Sequence, residues 1–326
     1  MESPIVVVAR TDNIGDVVVS LWSLAWLHKK YPDLSLGFIT RQEWQPLVAR
    51  CDFINSWCAL EDFLKGEVPW KEAQRQHIVF FFSRPVEVRM GRRLGFRRRT
   101  GTAGRWWHWL WSNDRVFFSR KRSQLHEAQL NLLLLYRHFP AVWPCPLEEL
   151  RNCLPWRGRK NSSVKEKKII VHPFTNRSAP LWPKNYWVTL IRLLSQQSWG
   201  IVYMTGLACN WNEADGLIRE AGLPPERNLC GKFDLEGFIR FVEESEILVA
   251  PSTGPLHIAA ALGVRSIGLY VPRPPMHPGR WGPLGPRAMA LTGRRHCLTP
   301  HQCRPDRCGC MEALRPEKVL EALRGG

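Results

Sequence analysis

The 326-residue chain predicts an α/β protein of two doubly wound, Rossmann-like domains. Three observations carry this. Strand-like and helix-like runs alternate through the first half, the alternation restarts in the second, and a polar, basic stretch, residues 155–168, lies between them as a linker. Such an order lays parallel strands in a sheet with helices on both faces. Ligands are then expected beyond the carboxyl ends of the strands, in a cleft between residues 1–160 and 165–311.

Ile5–Ala9 is an apolar run of strand length, and residues 16–30 follow with Val17, Leu21, Leu24 and Leu27 at helical spacing, stopping before Pro32. Residues 34–40, 54–60 and 77–83 read as further strands bounded by polar or turn residues. From Arg84 to Arg122 the texture changes: twelve Lys or Arg stand against two acids, Glu87 and Asp114, with Trp106, Trp107, Trp109 and Trp111 interleaved. A helix is expected over 124–139, with Leu125, Ala128, Leu132 and Leu135 on one face. In the second half, strands are expected at 168–174, 200–205, 247–250 and 266–271, and helices at 183–197, 212–221, 235–244 and 255–262. A proline-rich loop, a cysteine cluster and a helix over 316–324 close the chain, and that helix is expected to pack back on the first domain.

Composition narrows the function. At 44% hydrophobic and 23% charged, the chain is globular rather than disordered. No apolar run approaches the roughly eighteen residues of a membrane-spanning helix. Ile5–Ala9, stopped by Arg10, is too short for the core of an export signal, so a cytoplasmic chain is expected. Its 46 Lys and Arg against 29 Asp and Glu give +17, which favours an anionic partner: nucleic acid, a phosphorylated small molecule or an anionic membrane. Sixteen Trp suit stacking platforms, membrane interfaces and cores alike. No nucleic-acid-binding module appears, so no nucleic-acid partner is expected.

Three segments carry candidate chemistry. Arg10-Thr11-Asp12-Asn13-Ile14-Gly15-Asp16 leaves the first strand and opens a helix. A dinucleotide site would want G-x-G-x-x-G there, and only Gly15 is present. Asp16 reads either as a helix N-cap or as a carboxylate that accepts a proton from a bound hydroxyl; a helix N-terminus favours the ionised form, which weakens a base. Ser252-Thr253-Gly254-Pro255-Leu256-His257 is a clean helix start whose first N–H groups suit a diphosphate, with a purely structural cap as the alternative. His257, one turn on, reads equally as a core histidine or a ligand contact. His172-Pro173-Phe174-Thr175-Asn176-Arg177-Ser178 supplies hydroxyls and a guanidinium for phosphate oxygens.

Together, R-T-D-x-I-G-D after an opening strand, H-P with a polar loop before Trp182-Pro183, and S-T-G-P-L-H-I-A-A-A-L-G resemble glycosyltransferase family 9, whose best-known members are ADP-heptose:lipopolysaccharide heptosyltransferases. The likeness spans roughly residues 5–290. It implies a GT-B fold, an acceptor on the first domain, a nucleotide-sugar donor on the second, and inverting transfer that needs no metal or cofactor. By this resemblance Asp16 is the general base, Ser252, Thr253, Gly254 and His257 form the donor-diphosphate turn, and Thr175 is a hydroxyl of the phosphate loop. Ser252 stands where many members have Asp, and Pro180 where many have Lys; Arg177 or Lys184 is expected to supply the missing cation. The basic segment is assigned to an anionic glycolipid at the inner face of the inner membrane, with Arg10, Arg97, Arg99, Arg120 and Arg122 meeting its carboxylates or phosphates. Arg98 and Lys121 stand beside them, and the tryptophans are placed at the headgroup level. A solvated basic surface over packed tryptophans is the alternative. A nucleotide-sugar epimerase or hydrolase, or a binding protein with a degraded site, would share the fold.

Six of the ten cysteines are scattered and read as reduced, buried thiols. Cys297, Cys303, Cys308 and Cys310, with His296 and His301 nearby, are enough for a structural zinc or an iron–sulfur site. The paired C-x-x-C spacing of strong metal motifs is missing, and unligated thiols are the alternative.

Overall fold

The computed structural model describes residues 5–156, 166–175, 179–297 and 308–325. The chain divides into two compact units, Met1–Trp156 and Arg157–Gly326, each built on one parallel sheet.

The strands of the first unit are β1 (Ile5–Ala9), β2 (Ser35–Thr40), β3 (Ser56–Ala59), β4 (His77–Phe80), β5 (Arg98–Thr102) and β6 (Asp114–Val116). Their order is β3-β2-β1-β4-β5-β6, so the winding reverses between β1 and β4. Helices α1 (Ile14–Lys30), α2 (Pro85–Arg93), α3 (Trp106–Trp111) and α4 (Glu127–Tyr136) connect and cover them. All five residues of β1 are buried, because a parallel sheet covered on both faces needs a continuous apolar strand rather than an alternating one. Helix α1 buries eleven consecutive residues, Val17 to Leu27. The indole of its Trp26 donates to the Val142 carbonyl at 3.0 Å, so the large ring is buried without an orphaned N–H.

The second unit holds β7 (Lys168–Val171), β8 (Ile201–Met204), β9 (Ile247–Pro251), β10 (Arg265–Tyr270) and β11 (Ala288–Thr292) in the order β11-β10-β9-β7-β8. Here the reversal lies between β7 and β9. Its longer helices are α5 (Lys184–Ser195), α6 (Trp211–Glu220), α7 (Leu235–Glu243), α8 (Gly254–Ala261) and α9 (Pro316–Arg324). The terminal helix does not follow its expectation. Val319, Leu320 and Leu323 of α9 join the core of the second unit with Leu190 and Leu194 of α5.

Three other differences concern strands, helices and the linker. Strands β5 and β6 and helices α2 and α3 lie within the basic segment, where arginines mask the apolar pattern: β5 reads Arg-Arg-Thr-Gly-Thr and β6 Asp-Arg-Val. Strand β11, beyond the proline-rich loop, was likewise not expected. Pro155 and Trp156 are not linker, since Trp156 is buried and donates to the Leu47 carbonyl at 3.0 Å.

Gly101 of β5 fixes how α3 sits. A Cβ there would lie 2.0 Å from Nδ1 of His108, so only glycine lets that imidazole lie against the strand. His108 is bonded on both sides, to Ser112 Oγ at 2.8 Å and Ser83 Oγ at 3.0 Å.

Candidate active site

In the first unit the reversal between β1 and β4 places the loop Arg10–Asn13 beyond the carboxyl end of the sheet, where doubly wound folds bind ligands. Phe81 N–H donates to the Ala9 carbonyl, which ties the exit of β4 to that of β1. The loop's own carbonyls are held too: Arg41 Nε donates to Thr11 O at 2.9 Å and Trp44 Nε1 to Asp12 O at 3.3 Å.

Asp16 is not the N-cap. The cap position is Asn13, and Asp16 is the third helical residue, with its carboxylate accepting from Arg10 Nη2 and, at 3.3 Å, from Asn13 Nδ2. Arg10 is 3% exposed and centres a cluster of carboxylates. Its Nε donates to Asp12 Oδ1 at 2.7 Å, Nη2 to Asp12 Oδ2 at 3.0 Å, and Nη1 to Glu127 Oε1 at 3.2 Å. Burial works against its charge, but Asp16, Asp12 and Glu127 more than offset this and keep the guanidinium firmly protonated. Burial lifts the Asp12 carboxyl to about 6, with Arg10 opposing and Asp16 reinforcing the shift. Glu87 is likewise raised by burial, and its carboxylate accepts from Thr11 Oγ1 at 3.1 Å.

In the second unit, the loops leaving β7 and β9 emerge side by side where the winding reverses. Ser252 hydrogen-bonds the buried Tyr270 hydroxyl, which donates to the Trp281 carbonyl at 2.5 Å. Thr253 caps α8 in position only: its hydroxyl turns back to the Pro251 carbonyl at 3.2 Å, so the cap side chain does not take the first-turn N–H groups. Gly254 and Pro255 open the helix, and His257 is buried within it. On the neighbouring loop, Thr175 Oγ1 donates to Ala179 O at 3.2 Å. His172 pairs with Thr205 Oγ1 at 3.0 Å, and burial pulls it down to about 4, so it is neutral at pH 7. Arg177 lies outside the described residues.

The sequence profile of glycosyltransferase family 9 (heptosyltransferase) matches residues 97–311. This chain belongs to glycosyltransferase family 9. Among relatives, a Haemophilus influenzae protein named as a glycosyltransferase is 25% identical over 303 residues, 86% of each chain. The structure of Escherichia coli ADP-heptose lipopolysaccharide heptosyltransferase II superposes with a TM-score of 0.72 at 18% identity, covering 99% of this chain and 98% of that one. An Escherichia coli heptosyltransferase solved with ADP gives 0.70 at 17% identity, covering 98% of both chains. The two sheets are accordingly the Rossmann-like domains of a GT-B glycosyltransferase.

For this family 9 chain, the arginines expected to meet an acceptor divide into two groups. Arg10 is buried in its carboxylate cluster. Arg120 bonds Glu127, Phe81 O at 3.1 Å and Asn131 Oδ1 at 3.1 Å, and Arg99 Nε donates to Trp111 O at 2.8 Å. These three guanidinium groups are turned to the protein's own oxygens, and for Arg10, which is buried, such partners are required. Arg97 and Arg122 are exposed. Glu127 and Glu87 are the residues sequence reasoning missed, and Asp12 joins them as a partner of Arg10. An arginine followed at two and six residues by aspartates, between strand and helix, was a readable signal for Asp12; nothing local marked Glu127, which lies 117 residues from Arg10.

Among the described residues, the groups spaced for a shared metal ion are His77, Asp114 and His138, at the opposite ends of the strands from Arg10. Their hydrogen bonds already serve one another. Thr100 donates to Asp114 at 2.6 Å and accepts from His77 at 2.7 Å, while His138 donates to Asp114 at 2.7 Å and accepts from Arg98 at 3.0 Å. With Arg137 also on Asp114, this set suits a polar staple across β4, β5 and β6 rather than a cation. Of the C-terminal cysteines, Cys303 lies outside the described residues. Cys308 and Cys310 are buried, and burial followed by the neighbouring Cys297 pushes the Cys310 thiol up to about 12. None of the described cysteines forms a disulfide. No helix among the described residues is long and apolar enough to cross a membrane.

Proposed function

We propose that this chain transfers a sugar from a nucleotide-sugar donor, ADP-heptose being the first to test, to a lipopolysaccharide core or related anionic glycolipid, with inversion and without a metal. The Arg10–Asp16 pair at the end of β1 is the observation that carries the reading. It holds a carboxylate in the first turn of α1, beyond the carboxyl end of β1, which supports a base for the acceptor hydroxyl there. As the acceptor oxygen attacks the anomeric carbon, its proton passes to Asp16, and the bond to the diphosphate oxygen breaks with its electron pair leaving on the nucleotide.

The first turn of α8, with Ser252, Thr253 and Gly254, offers backbone N–H groups and a helix N-terminus to the charge growing on that diphosphate. Such fixed donors do without a cation, and no D-x-D pair follows a strand to hold one. Thr175, Arg177 and His257 are assigned to the same donor, and Arg97 and Arg122 to the acceptor. The enzyme is placed at the cytoplasmic face of the inner membrane, where such acceptors are found.

Product analysis with ADP-heptose, with and without a Kdo–lipid A acceptor and in the presence of EDTA, tests this. Transfer undiminished by EDTA is expected, and Asp16→Ala is expected to abolish it while leaving donor affinity nearly intact. Donor turnover without acceptor would mark a hydrolase or epimerase instead, and donor binding without turnover a binding protein. Weakened donor binding in Asp16→Ala with unchanged turnover per bound donor would remove Asp16 from the base role.

A further inference from the structure

Four of the eleven large apolar side chains exposed among the described residues stand within one twelve-residue stretch: Trp106 (63% exposed), Trp109 (53%), Leu110 (56%) and Phe117 (75%). On α3 the first three fall at positions i, i+3 and i+4, the face a helix ordinarily turns to its core. Here that face meets solvent, while Trp107 and Trp111 pack inward and His108 is locked against Gly101. Phe117, just past β6, meets Trp109 edge-on with ring centres 6.1 Å apart, so helix and strand end present one aromatic surface.

Cations frame this surface. Arg115 lies over the Trp109 ring at 4.7 Å, Arg105 over Trp107 at 5.2 Å, and Arg92 reaches the Leu110 carbonyl at 3.5 Å. The two acids of the basic segment, Glu87 and Asp114, are both buried, so the side chains this segment shows to solvent carry only positive charge.

We infer that α3 and Phe117 form an interfacial foot, seating Trp106, Trp109, Leu110 and Phe117 among the headgroups of an anionic lipid bilayer while Arg92, Arg105 and Arg115 meet the lipid phosphates. Exposed apolar patches of this kind mark interfaces, and tryptophan beside arginine is the pairing that bilayer boundaries favour. A second copy of the chain fits less well: four side chains fall short of the roughly 800 Å² per partner of a stable dimer, and a two-fold contact would set the same arginines against each other. The inference deepens the membrane-surface part of the proposed function. Its test uses neither donor nor acceptor, so either can fail while the other stands.

The test is co-sedimentation of the intact protein with phosphatidylglycerol–phosphatidylethanolamine vesicles and with phosphatidylcholine vesicles across a salt series. Binding should select the anionic vesicles and weaken as salt shortens the reach of each charge to about 8 Å at physiological ionic strength. Trp106→Ser, Trp109→Ser and Phe117→Ser combined should reduce affinity by about tenfold or more with circular dichroism unchanged, and Arg105→Ser with Arg115→Ser should reduce it by about tenfold. Phe117→Ser alone gives the same reading in a smaller step should the triple variant fail to fold. Brominated acyl chains should quench wild-type tryptophan fluorescence more than that of the triple variant. Equal binding to both vesicle types, wild-type binding by the folded variants, or a dimer in sedimentation velocity that the triple variant dissolves would overturn the inference.

Discussion

Asp12 sits where one proton changes the hold on Asp16, the base proposed beside it. Above pH 6 Asp12 is ionised and shares Arg10 with Asp16 and Glu127. As pH falls through about 6, Asp12 takes a proton, and Arg10 turns its attraction more fully on Asp16. A carboxylate bound more tightly to a cation is a poorer base, so kcat/KM for transfer should fall on the acid side with a midpoint near 6 that belongs to the coupled pair. Asp12→Asn, neutral at every pH, should erase that limb and lower the rate at pH 8 by about tenfold. A wild-type profile flat through pH 6, or a limb surviving in Asp12→Asn, would show that the Asp12 proton has no part in the rate.

Among the elements, α3 depends most on a single neighbour. In Gly101→Ala the new methyl would overlap the His108 ring, so the imidazole must leave its bonds to Ser83 and Ser112 or the helix must lift from β5. Either change should cost about 1–3 kcal/mol, read as a lower thermal midpoint, and should increase protease cutting near residues 103–112. Unchanged melting and cleavage would mean that α3 is not seated through His108. Elements of this kind mark the boundary of what the sequence revealed. Strands β1, β7, β9 and β10 were legible because burial on both faces demands unbroken apolar runs, and α8 because Thr-Gly-Pro is a helix start. Strands β5 and β6 were not, because His77 on β4 and Arg137 and His138 just past α4 satisfy polar groups that a local pattern cannot distinguish from solvated ones. The residues proposed for the site divide likewise: the places of Asp16 and the Ser252–His257 turn, each after a strand and opening a helix, could be read from the sequence, whereas the contact of Glu127 with Arg10 becomes visible only when the chain has folded.

Taken whole, the molecule should answer acid unevenly. His172 in the second unit is held neutral by burial, near 4 when folded against about 6.5 in the unfolded chain. A depressed value means that stability is fully present above about 6.5 and is lost as pH falls toward 4, by about 1.4 kcal/mol per pH unit. In the first unit, His77 and His108 act in the same direction, while Asp12 and Glu87, raised by burial, act against them. Between pH 7 and 5 the second unit should therefore lose stability through His172, with His277, also lowered by burial, acting in the same direction. Differential scanning calorimetry of wild type and His172→Gln checks this: the substitution can keep the bond to Thr205 and should shrink the acid-induced fall in its transition. A fall of equal size in both proteins would assign the sensitivity elsewhere.

The buried Arg10–Glu127 contact also constrains how such a chain can diverge. Glu127 is 2% exposed, so a lineage that loses Arg10 first leaves an interior carboxylate to Arg120, while one that loses Glu127 first takes a carboxylate from both arginines and leaves Arg10 to Asp12 and Asp16. Breaking a buried pair from one side costs about 3–5 kcal/mol, a large share of a domain's stability, whereas replacing both ends together can be nearly neutral. Positions 10 and 127 should therefore change in concert among descendants of this fold, a coupled inheritance across more than a hundred residues of chain that owes nothing to the sugar being moved.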